Sequence, residues 1–277
     1  MVLRLIKFLF SVLLCLADCG GKYLGRLLGK QTKGTCVILY YHAVPEGQRE
    51  RFAKQMDAII KWAVPISVAN LDKPKGNRHY VAVTFDDGFQ SVIKNALPEL
   101  VLRGIPITIF VPTDRLGQRP AWANDPDDTL SNEAVMSVDQ LKSLDANLVS
   151  IGSHGCTHSN LLLLDEDEAR REIFQSKLFL EELLKRRVNT LAFPYGAFDQ
   201  KHVNLARQAG YHRVFSILPT LAASEYVTGR VSADPWDWSM EFKLKMRGSY
   251  RWLPKAFSFK RKFYHLLGKN SQVNQNG

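Results

Sequence analysis

At 277 residues with 45% hydrophobic content, the chain is long enough for one large α/β domain or two small ones, and it needs no disulfide scaffold. Its formal charge of +10 is uneven: residues 1–36 carry +5, residues 243–277 carry nine Lys or Arg and no acid, and the middle holds −4. That distribution argues against nucleic acid as a partner and favours an anionic membrane surface at the basic, apolar ends.

In chain order, Arg4 and Lys7 precede the apolar run Phe8–Ala17, which is too short to span a bilayer unaided. No A-x-A cleavage site follows, and apolar and basic residues continue through Tyr23, Leu24, Arg26, Leu27, Leu28 and Lys30. Segment 1–34 therefore reads as a membrane-interface helix or a signal-like anchor, with a helix packed on the body as the plain alternative. Cys15, Cys19, Cys36 and Cys156 form no zinc-type pair and read as free thiols.

From residue 35 the pattern alternates between strands and helices. Cys36–Tyr41 is a buried strand ending at His42; a helix follows over Arg51–Trp62, then a short strand at Pro65–Val68. Tyr80–Phe85 is a strand ending at Asp86 and Asp87, and Phe89–Arg103 a helix stopped by Gly104. Ile107–Val111 is a strand, Pro112–Ala134 a long loop of functional character, and Ser137 the cap of a helix to Asp145. Leu148–Gly152 is a strand ending at Ser153-His154, Asp165–Arg187 a charged amphipathic helix, and Thr190–Phe193 a strand ending at Pro194-Tyr195-Gly196. Asp199 caps a helix to Gly210, Arg213–Ile217 is a strand, and Trp238–Trp252 a final helix; 254–277 is a basic, polar tail. Repeated βα units imply a parallel barrel or sheet, whose active sites form at the carboxyl ends of strands. His42, Asp86, Asp87, His154 and Pro194-Tyr195 all follow apolar runs, so they should share one face.

Two adjacent carboxylates, Asp86-Asp87, repel each other at a strand end unless a cation sits beside them. Asp-Asp-Gly is also a common polar turn, and taken alone the two readings weigh equally. His154 and His158, four residues apart, can face one point if the segment is a helical turn, and neutral imidazoles suit zinc and related ions. Asp87, His154 and His158 then give three ligands and leave a position open for water. Cys156, between the histidines, should point away from them.

Thr84-Phe85-Asp86-Asp87-Gly88, then the histidine pair within Gly152–Leu161, then Pro194-Tyr195-Gly196, resembles the polysaccharide deacetylase family, carbohydrate esterase family four, from about Val37 to Arg230. The resemblance implies a distorted (β/α) barrel of fewer than eight strands over residues 35–253 and a divalent metal, usually zinc. It implies Asp86 as general base, Asp87, His154 and His158 as metal ligands, and Pro194 and Tyr195 as groove wall, with the Tyr195 backbone N–H at the oxyanion. The substrate would be an acetylated amino-sugar glycan.

The chain departs from that pattern at three places. Ala192 stands where many members carry an arginine that orients the catalytic Asp; Gly155 replaces a frequent Ser or Thr. Beyond Trp238 the sequence offers only His265 for the late family histidine. Tyr41-His42-Ala43-Val44 instead looks like the circularly permuted branch, in which that strand moves to the front, so His42 is the expected general acid. Trp236 and Trp238, in Asp234-Pro235-Trp236-Asp237-Trp238, are candidates for stacking on sugar rings or for plain helix-start packing, and Trp122 is a weaker groove candidate. Two rivals remain within this reading: an O-acetyl esterase, and a glycan-binding relative without turnover.

Overall fold

The computed structural model describes residues 2–30, 34–71, 76–122, 130, 132–219, 225–254 and 256; His265, most of the basic tail and part of the 112–134 loop lie outside the described residues. The chain opens with α1 (Val2–Leu27) and enters the domain at β1 (Thr35–Tyr41). It continues through α2 (Arg49–Trp62), β2 (Val64–Pro65), β3 (His79–Phe85), α3 (Leu97–Arg103), β4 (Ile107–Val111) and α4 (Val138–Lys142). Then come β5 (Val149–Ser153), α5 (Glu166–Leu184), β6 (Thr190–Ala192), α6 (Gln200–Gln208) and β7 (Arg213–Ser216). The last elements are β8 (Val227–Gly229), β9 (Val231–Ser232) and α7 (Ser239–Met246).

Every strand pairing is parallel, in the order β8-β7-β6-β5-β4-β3-β1-β9, with β2 beside β3. The two ends of that order, β8 and β9, are consecutive in sequence and separated by Arg230 alone. One short run of chain therefore pairs with β7 through Val227–Gly229 and with β1 through Val231-Ser232, drawing the sheet's two edges together into a nearly closed barrel. Counted that way the barrel has seven staves, as expected for fewer than eight strands.

Side chains alternate across this sheet. Val37, Leu39, Val81, Val83, Ile107, Ile109, Leu191 and Val214 point outward into the layer under the helices. Ile38, Ala82, Phe110, Ala192 and Phe215 point inward and fill the barrel. Burial on both faces explains why the strands read as continuous apolar runs.

The helix boundaries follow local chemistry. Ser137 and Asp165 cap α4 and α5 with reciprocal capping boxes, and Asp199 accepts from the N–H groups of Lys201 and His202. The helix expected over Phe89–Arg103 is a π-helical stretch, Val92–Ala96, followed by α3; Pro98 has no N–H to donate, which breaks the regular ladder there. The helix expected over Trp238–Trp252 ends at Met246, ahead of Gly248 in the left-handed region (φ 75°). The strand expected at Pro65–Val68 is only Val64-Pro65, because Ser67 caps a 3₁₀ turn over Val68–Asn70. The sequence-based reading passed over β8 and β9.

Candidate active site

Asp86 and Asp87 follow β3 directly. The Asp86 N–H donates to the Tyr41 carbonyl (2.8 Å), tying the end of β3 to the end of β1 and thus to His42. Asp87 and Gly88 then both take positive φ (65° and 62°), which turns the two carboxylates to different partners. A side chain at position 88 would also press on Val111, 3.2 Å from its Cγ2, so glycine is required twice over.

Asp87 faces the histidines. Its Oδ1 lies 3.1 Å from His158 Nε2 and 3.5 Å from His154 Nε2, and the three ligand atoms fall within 4.8 Å of one another. All three side chains are buried. His154 Nδ1 donates to the Ala192 carbonyl (2.8 Å), which fixes the tautomer and leaves the Nε2 lone pair directed at Asp87. Asp87 Oδ1 and His158 Nδ1 are buried without a hydrogen-bond partner. A buried carboxylate oxygen left without a donor, facing two imidazole nitrogens, fits a divalent cation.

The histidines do not converge by a helical turn, as the four-residue spacing suggested. Residues 154–158 form an irregular loop in which Gly155 (φ 78°) and His158 (φ 65°) are both left-handed. Glu172, on the buried side of α5, holds that loop: its carboxylate accepts from Cys156 N–H (2.7 Å), Thr157 N–H (3.0 Å) and the Thr157 hydroxyl (2.7 Å). A Cβ at position 155 would stand 2.7 Å from Glu172 Oε2, so Gly155 and Glu172 are a matched pair. Cys156 turns its thiol to the Arg171 and Glu172 carbonyls, away from the cluster, as expected; burial pushes its pKa up to about 11.

Asp86 faces Arg230. The guanidinium donates to both carboxylate oxygens, at 2.6 and 2.8 Å, and to Thr84 Oγ1 at 3.2 Å. Arg230 is fully buried inside the barrel, over the rings of Tyr40 (4.8 Å), Phe110 (5.2 Å) and Phe215 (5.7 Å). Ala192 belongs to the same inner cluster as Phe110 and Phe215, and its small side chain leaves room for that guanidinium. The missing arginine at position 192 is thus replaced from the β8–β9 junction. Sequence reasoning missed Arg230 because the strand around it was not seen; its signal is a lone charge in the strand-forming stretch Tyr226–Ser232.

The electrostatics separate the two carboxylates' roles. Burial works to raise the Asp86 pKa, but the charge and the hydrogen bonds of Arg230 prevail and hold it below the usual range. Asp87 is likewise held far below its ordinary value against burial, chiefly by His158. Burial lowers His154 to about 4, so its imidazole is neutral and free to act as a ligand at neutral pH. His42 lies near enough for its charge to lower both carboxylates. It sits partly exposed, edge-on to Tyr40 (5.6 Å).

Pro194-Tyr195-Gly196 forms the wall beside His158. Tyr195 takes φ 58° and sets its ring edge-on to His158 at 4.7 Å; Gly196 is needed because a Cβ there would lie 2.4 Å from Ile217 Cγ1. Trp122 stacks on the other side of His158 (4.0 Å, 25°), so the long loop does reach the cluster. Trp236 and Trp238 sit apart from these rings. The Trp238 ring packs against Phe8 and Arg4 of α1 and stays partly exposed. The Trp236 ring is half exposed beneath the Arg51 guanidinium.

Comparison with known proteins identifies the family. Residues 73–214 match the family model of polysaccharide deacetylases. YxkH of Bacillus subtilis is 23% identical over 212 residues, covering 72% of this chain and 71% of that protein. A poly-beta-1,6-N-acetyl-D-glucosamine N-deacetylase of Staphylococcus aureus is 25% identical over 156 residues, 52% of this chain and 50% of that protein. Among solved structures, IcaB from Ammonifex degensii superposes with a TM-score of 0.64 at 24% identity, covering 78% of this chain and 98% of that one. The Streptococcus pyogenes deacetylase PplD gives 0.63 at 19%, covering 76% and 98%; at these identities the likeness is one of fold. With the family model spanning just over half of its length, the chain belongs to the polysaccharide deacetylase family, a family of hydrolases.

Proposed function

We propose that the protein hydrolyses the N-acetyl group of an acetylated amino-sugar glycan, releasing acetate and a free amine, with a divalent cation, zinc by its donor set, held by Asp87, His154 and His158. The observation that carries this reading is the division of labour at the end of β3: Asp87 is aimed at two imidazoles, and Asp86 is aimed away from them at Arg230. One carboxylate is committed to the cation and the other is left to handle a proton. When bound, the cation supplies Lewis acidity for the acetyl carbonyl and lowers the pKa of the attacking water.

The chain's own residues do the rest. Asp86, kept ionised by Arg230, takes the proton from the attacking water. The Tyr195 backbone N–H is positioned by the left-handed turn after β6 to meet the charge growing on the carbonyl oxygen. His42 donates a proton to the departing sugar nitrogen, which leaves poorly as an anion. The permuted-branch reading gives this role to His42, and its position at the end of β1, tied to Asp86 through the Tyr41 carbonyl, supports it.

The reading of a glycan binder without turnover rested on the missing arginine at Ala192 and on an unusual late region, and the Arg230–Asp86 pair counts against the first of these. The S. aureus relative points to poly-N-acetylglucosamine as the first glycan to try. The test is acetate release from N-acetylglucosamine oligomers of several lengths and from O-acetylated glycans, with and without added zinc. Release from the N-acetyl substrates alone supports the amide reading, release from the O-acetyl set alone makes the protein an esterase, and release from neither contradicts both.

A further inference from the structure

Helix α1 meets the body through a polar stripe flanked by Phe8, Val12 and Cys15, which pack on the core, and it leaves a second apolar face outside. Arg4, Ser11, Asp18 and Lys22 are spaced by seven, seven and four residues and lie on one stripe of a helix of 3.6 residues per turn. That stripe meets the body. Arg4 donates to Glu241 Oε2 at 2.6 and 2.9 Å, and Arg251 grips both oxygens of Asp18 at 2.7 Å. The Trp252 indole N–H donates to Ser11 Oγ at 3.0 Å.

The opposite side carries Leu5, Ile6, Leu9, Phe10, Leu13 and Leu16, all exposed, Leu13 by 65%. No charged residue interrupts it. A helix on a protein bathed in water keeps its outward face polar.

We propose that the outward face of α1 is a lipid-contact surface that lies in the interface of a bilayer containing anionic lipid. Three observations select this occupant. First, the apolar face sweeps roughly 140° of the helix circumference, wider than the narrow seam that a second helix covers in a two-stranded coiled coil. Second, no described helix is long and apolar enough to cross a membrane, and the polar stripe of α1 is tied to the domain along its length, so the helix lies flat.

Third, Lys22 and Lys30 are exposed at the far end of α1 and Arg247 is exposed just past α7; in sequence, residues 243–277 carry nine cations and no acid. Trp252, 4.4 Å from the ring of Phe10, brings the start of that basic segment to the flank of α1. Buried apolar area and attraction to anionic headgroups are the two terms that hold an interfacial helix.

The same contacts set an orientation. The amino end of α1 reaches the Trp236 carbonyl, just beyond the carboxyl end of β9, where the strand ends gather the active site. Its Lys22 end lies close enough to His79, at the amino end of β3, to affect that residue's charge. The barrel axis therefore runs along the lipid plane, and the active-site mouth opens sideways over the membrane surface.

The test is flotation of the full chain with vesicles of phosphatidylcholine alone and of phosphatidylcholine with phosphatidylglycerol. It is done for wild type, for L9E/L13E and for the milder L5Q/L16Q, with thermal midpoints as the check of folding and light scattering without lipid as the check of assembly. We expect wild type to float with the mixed vesicles and both variants to lose roughly tenfold in bound fraction at unchanged midpoints. Should L9E/L13E fail to fold, L5Q/L16Q carries the test. No flotation of wild type, equal flotation of the folded variants, or a dimer without lipid that the variants dissolve would each overturn the proposal. Equal flotation on vesicles lacking phosphatidylglycerol would overturn its anionic part.

Discussion

Arg230 and Asp86, 144 residues apart, meet inside the barrel through two hydrogen bonds of 2.6 and 2.8 Å. The pair joins the strand that closes the barrel to the strand that ends at Asp86 and Asp87. Closing the fold and orienting the proposed base are thus one interaction.

Replacing Arg230 therefore changes pH dependence as well as rate. Its charge and hydrogen bonds hold the Asp86 pKa below the usual carboxylate range against the effect of burial. The ionised, active form of Asp86 is present above that lowered pKa and is lost as pH falls through it. In Arg230→Met the pKa rises, so the acid limb of the kcat/KM profile moves to higher pH. A profile that drops uniformly without moving would leave Arg230 a purely structural role.

The same substitution leaves Asp86 as a buried charge without its partner, which costs about 3–5 kcal/mol. The double variant R230M/D86N removes both charges and should recover a large part of that loss. Urea unfolding of the single and double variants measures the difference; equal loss in both would mean that the ion pair contributes nothing beyond packing.

Glu172 holds the loop that carries His154 and His158, the proposed metal ligands, through Cys156 and Thr157. Glu172→Gln keeps the volume but cannot accept from three donors as a charged group does. Cation affinity should fall about 10- to 100-fold, as for other supporting groups around metal sites. Isothermal titration of zinc into the metal-free proteins checks this, and unchanged affinity would show that the loop holds its shape without the carboxylate.

His42→Ala should keep full metal content and lose about 10²–10⁴-fold in kcat on an N-acetyl substrate. Its sharpest readout is a substrate with a better leaving group, such as an O-acetyl ester, on which the defect should shrink. An equal defect on both would remove the proton-donor role.

Much of this arrangement is legible in the sequence because it follows from short-range rules. Alternating apolar runs and helix caps such as Ser137, Asp165 and Asp199 place the elements within a few residues. The rule that strand ends gather chemistry places His42, Asp86 and His154 on one face. What was not legible depends on tertiary context. The His154–His158 loop converges through left-handed residues at 155 and 158, held by an acid fourteen residues past His158, and spacing alone suggests a helical turn instead. Arg230 sits between strands of three and two residues, too short to show a period. Trp238 fits sugar stacking and packing equally in sequence, and its contact with Phe8 and Arg4 of α1 depends on a helix more than 200 residues away.

The central claim is that Asp87, His154 and His158 share one cation while Asp86 stays outside it. Metal content after zinc loading and desalting, measured by plasma mass spectrometry on wild type, D86N and H158A, tests it most directly. The account predicts about one zinc per chain in wild type and D86N and less than about a tenth in H158A, with acetate release lost in both variants. Loss of zinc in D86N equal to that in H158A, or full zinc in H158A, would contradict it.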